Sequence, residues 1–178
     1  MINLILEIPI IVGFFVTLFL LPFWIRKAKQ IGLIWDDMNK FKSEKVAGSG
    51  GVIVIWGFVL GVLLYIAYIV FYLKLRDGIL IQIFASLSVI LLLAGIGLID
   101  DLFGWQRGGL SKRSRLLLIL FSSIPLIAIN GGKSEIGLPI FGTLELGIIY
   151  PLILIPIGII GATSFNFLAG FNGLEAGQ

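Results

Sequence analysis

The sequence predicts an all-α fold, a polytopic membrane helical bundle with about five membrane-crossing helices. Three observations predict it. The chain is 58% hydrophobic and only 13% charged, where a soluble domain carries about 45–50% apolar and about 25% charged residues. The apolar residues are gathered into runs near the roughly 20 residues needed to cross a bilayer core. The cations are concentrated in two segments that alternate crossing places on the same side.

The first span runs from about Leu4 to Ile25, with Glu7 near its outer end. It exceeds the short apolar region of a signal peptide, and no small-residue cleavage site precedes the basic cluster. The second span, about Val52 to Leu73, is an uninterrupted apolar and small-residue run, and the third covers about Ile79 to Ile99. The fourth, over 114–130, has a short apolar stretch from Leu116 to Ile129 and contains Pro125. The fifth, over 146–165, contains Pro151 and Pro156. Prolines are tolerated there because neighbouring helices can satisfy the carbonyls they free. The whole chain, 1–178, reads as one transmembrane domain.

Arg26, Lys27, Lys29, Lys40, Lys42 and Lys45 follow the first span, and Arg107, Lys112, Arg113 and Arg115 follow the third. The other face holds only Lys74, Arg76 and Lys133. The positive-inside rule therefore makes 26–51, 100–114 and 166–178 cytoplasmic and puts the N-terminus outside, in a plasma membrane or endoplasmic reticulum membrane. The outer loop Asn130–Glu145 carries Gly131-Gly132, Leu138-Pro139 and Phe141-Gly142-Thr143, and reads as a small hairpin or cap. The net charge of +3 is accounted for by orientation-setting loops, so no nucleic-acid partner is expected.

Cysteine and histidine are both absent. That excludes disulfides, thiolate chemistry, most zinc sites and any Ser-His-Asp scheme. Catalysis would rest on carboxylates, amides, Lys/Arg and a hard cation.

Three polar constellations stand out. Asp100-Asp101 ends the apolar stretch Gly95-Ile96-Gly97-Leu98-Ile99, where acidic residues oppose the helix dipole and adjacent like charges repel. This is a solvated loop start or a Mg²⁺ or base site. Asn166 and Asn172 flank Gly170 in Asn166-Phe167-Leu168-Ala169-Gly170-Phe171-Asn172-Gly173-Leu174-Glu175. Side-chain amides at a broken helix can ligate a hard cation or read a nucleobase edge, although Asn-Gly is often only a turn. The third runs from Trp35-Asp36-Asp37-Met38-Asn39-Lys40 to Lys45-Val46-Ala47-Gly48-Ser49-Gly50-Gly51. Glycines before a helix expose N–H groups to an anion; the bland alternative is a flexible basic loop. All three fall on one face. Carboxylates, amides, N–H groups and cations without His or Cys fit metal-assisted phosphoryl transfer.

These motifs resemble the polyprenyl-phosphate N-acetylhexosamine-1-phosphate transferases, in particular the eukaryotic and archaeal branch that begins N-glycan assembly on dolichyl phosphate. Asn166 through Gln178 is similar to that branch's signature almost residue for residue. Ile99-Asp100-Asp101 with Gly109-Leu110-Ser111 resembles the family's Asp-Asp motif and following basic loop. Asp37 through Lys45-Val46-Ala47 to Gly50-Gly51 resembles its first cytoplasmic loop. The likeness implies transfer of a HexNAc-1-phosphate, with GlcNAc the expected sugar, from a UDP-sugar to polyprenyl or dolichyl phosphate. UMP is released and Mg²⁺ is the implied cofactor.

Carried over by position, Asp100 and Asp101 position or deprotonate the lipid phosphate, and Asn166 ligates Mg²⁺. Asn172 contacts uracil. Asp36, Asp37, Met38, Gly48 and Glu175 line the nucleotide-sugar site, while Arg115 and Lys112 neutralise the lipid phosphate. The resemblance implies a membrane bundle of about ten helices, roughly twice the length of this chain. The chain is therefore expected to be the N-terminal half, carrying half a site and inactive alone. The second Asp ligand and the basic diphosphate-gripping motif would lie in a later loop. A homodimer is an expected assembly. Three positions depart from the pattern: Arg115 replaces a common Lys, Ala47 a common Pro, and Gly48 a Glu of the eukaryotic branch. The rival readings are a cation-coupled transporter subunit using Asp100-Asp101, and an inert fragment of the transferase.

Overall fold

The computed structural model describes residues 2–36, 44–74, 78–107, 109–138 and 142–164. Its long helices are α1 (Ile2–Gln30), α2 (Gly51–Ala67) and α3 (Gly78–Arg107), followed by the shorter α4 (Lys112–Ser122), α5 (Ile124–Ile129) and α6 (Ile155–Thr163). Two strand pairs punctuate them: β1 (Ile34–Asp36) with β2 (Lys45–Ala47), and β3 (Glu135–Leu138) with β4 (Gly142–Glu145), both antiparallel. The stretches Glu7–Gln30, Gly51–Tyr72 and Gly78–Gly104 are each long and apolar enough to cross a membrane. Their apolar side chains are not hidden: Phe19 is 74% exposed, Phe23 68% and Phe71 83%. Helices apolar on every side require lipid or further helices around them. The fold is an all-α membrane bundle.

The chain divides into two compact units, one comprising Met1–Leu80 and Gly97–Leu110, the other Ile81–Ile96 and Ser111–Gln178. In the first, α1 and α2 meet along a seam of small residues. A Cβ placed on Gly57 would lie 2.7 Å from the Gly13 carbonyl oxygen, and one on Gly61 would lie 2.8 Å from the Pro9 carbonyl oxygen. From the other side, a Cβ on Gly13 would lie 2.9 Å from the Gly57 carbonyl oxygen. Thr17 Oγ1 donates back to the Gly13 carbonyl at 2.8 Å, which fixes its rotamer against Gly57. Lipid tails are as apolar as side chains, so close backbone approach is what holds such helices together. α2 ends in a wide, π-helical turn over Tyr68–Tyr72, whose two tyrosine rings stack at 5.1 Å.

In the second unit, α4 starts on a true cap: Ser111 Oγ accepts from the Ser114 N–H at 3.1 Å. It stops at Ser122. Ser122 and Ser123, each 1% exposed, turn their hydroxyls onto the Ile119 and Leu120 carbonyls at 2.6 Å. Pro125 has no N–H and its ring crowds the carbonyl four residues back, so the fourth apolar run is two helices, α4 and α5. Similarly Tyr150–Leu154 forms a π-helical turn ahead of α6, just before Pro156. The core of this unit is Val89, Ile119 and Ile159, with Leu93, Leu126, Ile155 and Ile160 against it. The segment between α5 and α6 forms the expected hairpin, with Ile136 opposite Leu144.

Candidate active site

The structure corrects one feature of the sequence reading. Asp100-Asp101 does not end its helix; α3 continues to Arg107. Loss of hydropathy does not terminate a helix, because the backbone ladder propagates until a breaker intervenes. Here the first described residue beyond the helix is Gly109, at φ +79, a conformation the helical ladder cannot continue through.

Neighbours on a helix point about 100° apart, so the two carboxylates diverge. Asp100 Oδ1 accepts from the Leu110 N–H at 2.8 Å. The chain must double back tightly over α3 to deliver that donor, and a Cβ on Gly109 would stand 3.2 Å from the same oxygen. Asp101 turns the other way. Its Oδ2 accepts from Ser49 Oγ at 3.1 Å, across 52 residues of sequence. Both groups are half-buried. Each thus has a donor from a different segment, an arrangement that offsets the cost of setting two like charges side by side.

The loop that supplies Ser49 is itself built tightly. β1 and β2 pair Ile34 with Ala47, Trp35 with Val46 and Asp36 with Lys45. The opposite charges of the last pair face each other across the ladder, which favours this register. The Gly48 N–H donates to the Leu33 carbonyl at 3.0 Å, and the Gly48 carbonyl accepts from Trp24 Nε1 at 3.1 Å. A Cβ on Gly48 would fall 2.6 Å from Trp35 Nε1, and one on Gly104 of α3 would fall 3.1 Å from the far edge of the same ring. The Trp35 indole therefore fills the space that a side chain at position 48 would need, between the loop and α3. Ser49 follows, 9% exposed and in the left-handed conformation at φ +54. α2 then begins, with the Val52 N–H on the Ser49 carbonyl at 3.2 Å and the Ile53 N–H on the Gly50 carbonyl at 3.1 Å.

The sequence-predicted residues are distributed as follows. Asp36, at the exposed end of β1, Gly48, buried, and Asp100 and Asp101 belong to the first unit. Within it, the Gly48–Gly51 turn and the carboxylate pair meet through Ser49. Lys112, exposed, and Arg115, half-buried, belong to the second unit, in the first turn of α4. Cations there oppose the helix dipole, a placement that suits the binding of an anion more than the stability of the helix. Asp37, Met38, Asn166, Asn172 and Glu175 lie outside the described residues. Sequence reasoning missed Trp24, and it placed Trp35, Ser49 and Leu110 in its motifs without giving any of them a role. For Ser49 a signal existed, as the lone non-glycine among residues 48–51.

Among the described residues, no three acidic side chains gather as a ready cage for a metal. The chain's oxygen donors, with no His or Cys, are nonetheless of the hard type that suits Mg²⁺, which commonly takes only one or two protein carboxylates and completes its shell with phosphates and water.

Comparison with known proteins gives a consistent picture. The profile described as glycosyl transferase family 4 matches residues 83–178. A protein of Sulfolobus acidocaldarius is 34% identical over 172 residues, covering 96% of this chain and 50% of the relative. One of Saccharolobus solfataricus is 32% identical over 172 residues, with the same 96% and 50% coverage. A protein of Dictyostelium discoideum named UDP-N-acetylglucosamine–dolichyl-phosphate N-acetylglucosaminephosphotransferase is 28% identical over 176 residues, covering 89% of this chain and 41% of the relative. The archaeal pair bear the same name provisionally. The chain spans about half the length of the curated relatives it matches.

Proposed function

The chain belongs to glycosyl transferase family 4, and from that premise we propose that it carries part of the active site of a membrane phosphotransferase. The enzyme transfers N-acetylglucosamine 1-phosphate from UDP-GlcNAc to dolichyl or a related polyprenyl phosphate. The observation that carries this reading is the Ser49–Asp101 contact. It supports a shared site, because it brings the glycine-rich first loop and the Asp-Asp pair, two motifs far apart in sequence, to one place.

In this reading a lipid phosphate oxygen attacks the sugar-bearing phosphorus of the UDP-sugar. The bond from that phosphorus to the bridging oxygen breaks, and UMP leaves. Asp100 and Asp101 orient the acceptor phosphate or take its proton, and Lys112 and Arg115 offset its charge. Asp36, Asp37, Met38, Gly48, Asn172 and Glu175 serve the nucleotide-sugar. Gly48 does so through backbone alone, since Trp35 leaves no room for a side chain. Asn166 is the residue of this chain assigned to Mg²⁺. When bound, the ion neutralises the diphosphate and eases departure of UMP. The site faces the cytoplasm, with the N-terminus outside, because the basic loops flank it. The enzyme works as a monomer or homodimer.

The test is transfer of radiolabel from UDP-GlcNAc to lipid in membranes carrying the full product of the gene. Wild-type membranes should label lipid and release UMP in equal amounts. Asp100→Asn and Asp101→Asn should each be strongly impaired, and wild-type turnover in both would sink the carboxylate role. Ion-dependent flux with no UMP would replace the transferase by a transporter. Chelation of divalent ions should abolish labelling. Paramagnetic titration with Mn²⁺ should show a tight site weakened by Asn166→Ala; unchanged binding would remove Asn166 from the metal.

A further inference from the structure

We propose that Ser49 is a positioning residue, fixing the direction in which the Asp101 carboxylate meets the acceptor phosphate. The inference deepens the transferase reading and rests on it. Two independent observations carry it.

The first is conformational. Residues 48–51 read Gly-Ser-Gly-Gly, and the position held in the left-handed region, φ +54, is the one that is not glycine. For a side-chain-bearing residue that conformation is unfavourable, whereas glycine adopts it freely. A sequence tuned only for the turn would place its glycine there. What serine keeps in exchange for the strain is a hydroxyl.

The second is where the hydroxyl goes. Ser49 is 9% exposed, and its Oγ donates to Asp101 Oδ2 at 3.1 Å. The preceding residue cannot shift to let it turn away. Gly48 is held by its N–H on Leu33, by Trp24 on its carbonyl and by the Trp35 ring over its Cα. The following residues start α2. Ser49 is thus a rigid donor aimed at a carboxylate whose own backbone is fixed inside α3. Side chains that support a reacting group in this way set its orientation, and small misplacements of such groups cost rate more than affinity.

The substitution that separates this role from a structural one is Ser49→Gly, which relieves the backbone strain while removing the donor. In the full gene product, kcat for GlcNAc-1-phosphate transfer should fall about tenfold or more, as expected for loss of a hydrogen bond to a charged group. The KM for UDP-GlcNAc and the thermal midpoint in detergent should stay at their wild-type values. Ser49→Ala should show the same loss of kcat. Wild-type kcat in Ser49→Gly, with Asp101→Asn inactive in the same membranes, would overturn the positioning role and leave the transferase reading intact. A fall in kcat matched by a fall in thermal midpoint would also overturn it, because the hydroxyl would then be structural. Absence of UMP release from the wild type would instead remove the transferase reading itself.

Discussion

Replacing Gly57 by alanine should pry α1 from α2. The added Cβ would sit 2.7 Å from the Gly13 carbonyl oxygen and against Thr17, whose hydroxyl is tied to that same carbonyl and cannot swing aside. Ordinary contact begins near 3.4 Å, so the helices must part by at least about 0.7 Å to clear the Gly13 oxygen, a gap that forfeits roughly a quarter to a half of the dispersion well of each atom pair along the seam. Overfilling a close-packed contact costs about 1–3 kcal/mol. For a chain of this size that is a drop of about 2–12 °C in thermal midpoint. Fluorescence-monitored unfolding in mild detergent measures it. Gly95→Ala and Gly97→Ala in α3 are the controls, since among the described residues no atom beyond the helix's own adjoining backbone and chain neighbours lies within 4 Å of either added Cβ. Alanine is the better helix former by about 0.5–1 kcal/mol, so these variants should hold or gain stability. In Gly57→Ala/Gly61→Ala one opening relieves both clashes, so the double loss should be smaller than the sum. A midpoint within about 1 °C of wild type for Gly57→Ala, or an equal loss in Gly97→Ala, would refute the close-approach argument.

Other outcomes follow from the same geometry. Asp100→Asn keeps an acceptor for the Leu110 N–H and should preserve its slow hydrogen exchange, while Asp100→Ala should speed that exchange and cost about 1–3 kcal/mol of stability. Gly48→Glu should displace the Trp35 indole and cost about 1–3 kcal/mol; Trp35→Ala in the same molecule should recover part of the lost thermal midpoint by making room. Trp24→Phe removes the donor to the Gly48 carbonyl and should lower stability by about 0.5–1.5 kcal/mol, read as the same midpoint shift.

Much of this was legible in advance because the bilayer simplifies the code. Apolar length alone located α1, α2 and most of α3. Gly131-Gly132 and Gly142 marked the hairpin around β3 and β4. The end of α3 was misread because hydropathy stops at Asp100 while the hydrogen-bond ladder does not. Pro125 announced a break in the fourth run, but not its place at Ser123, where two serine hydroxyls donate to the carbonyls at the end of α4. At the site, the identity of Asp100 and Asp101 was plain, but their divergence was not. The divergence needs a helix that runs on past both, and the donors each one meets need a left-handed glycine at 109 and a left-handed serine at 49, backbone handedness that leaves little trace in composition. The packing of Trp35 over Gly48 and Gly104 joins segments some 56 residues apart in sequence, beyond the reach of any local pattern.

The glycine seam also bears on how the protein is made. It joins residues 9–17 to residues 57–61, so everything it needs has been synthesised well before Asp101 exists. At about 5–20 residues per second, the ribosome takes roughly 2–8 s more to reach that carboxylate, long compared with the docking of two adjacent helices. The first two spans can therefore clasp in the membrane early. The loop between them, with its three-residue ladder and its hydroxyl already turned to one side, is then a finished template onto which the third helix is delivered.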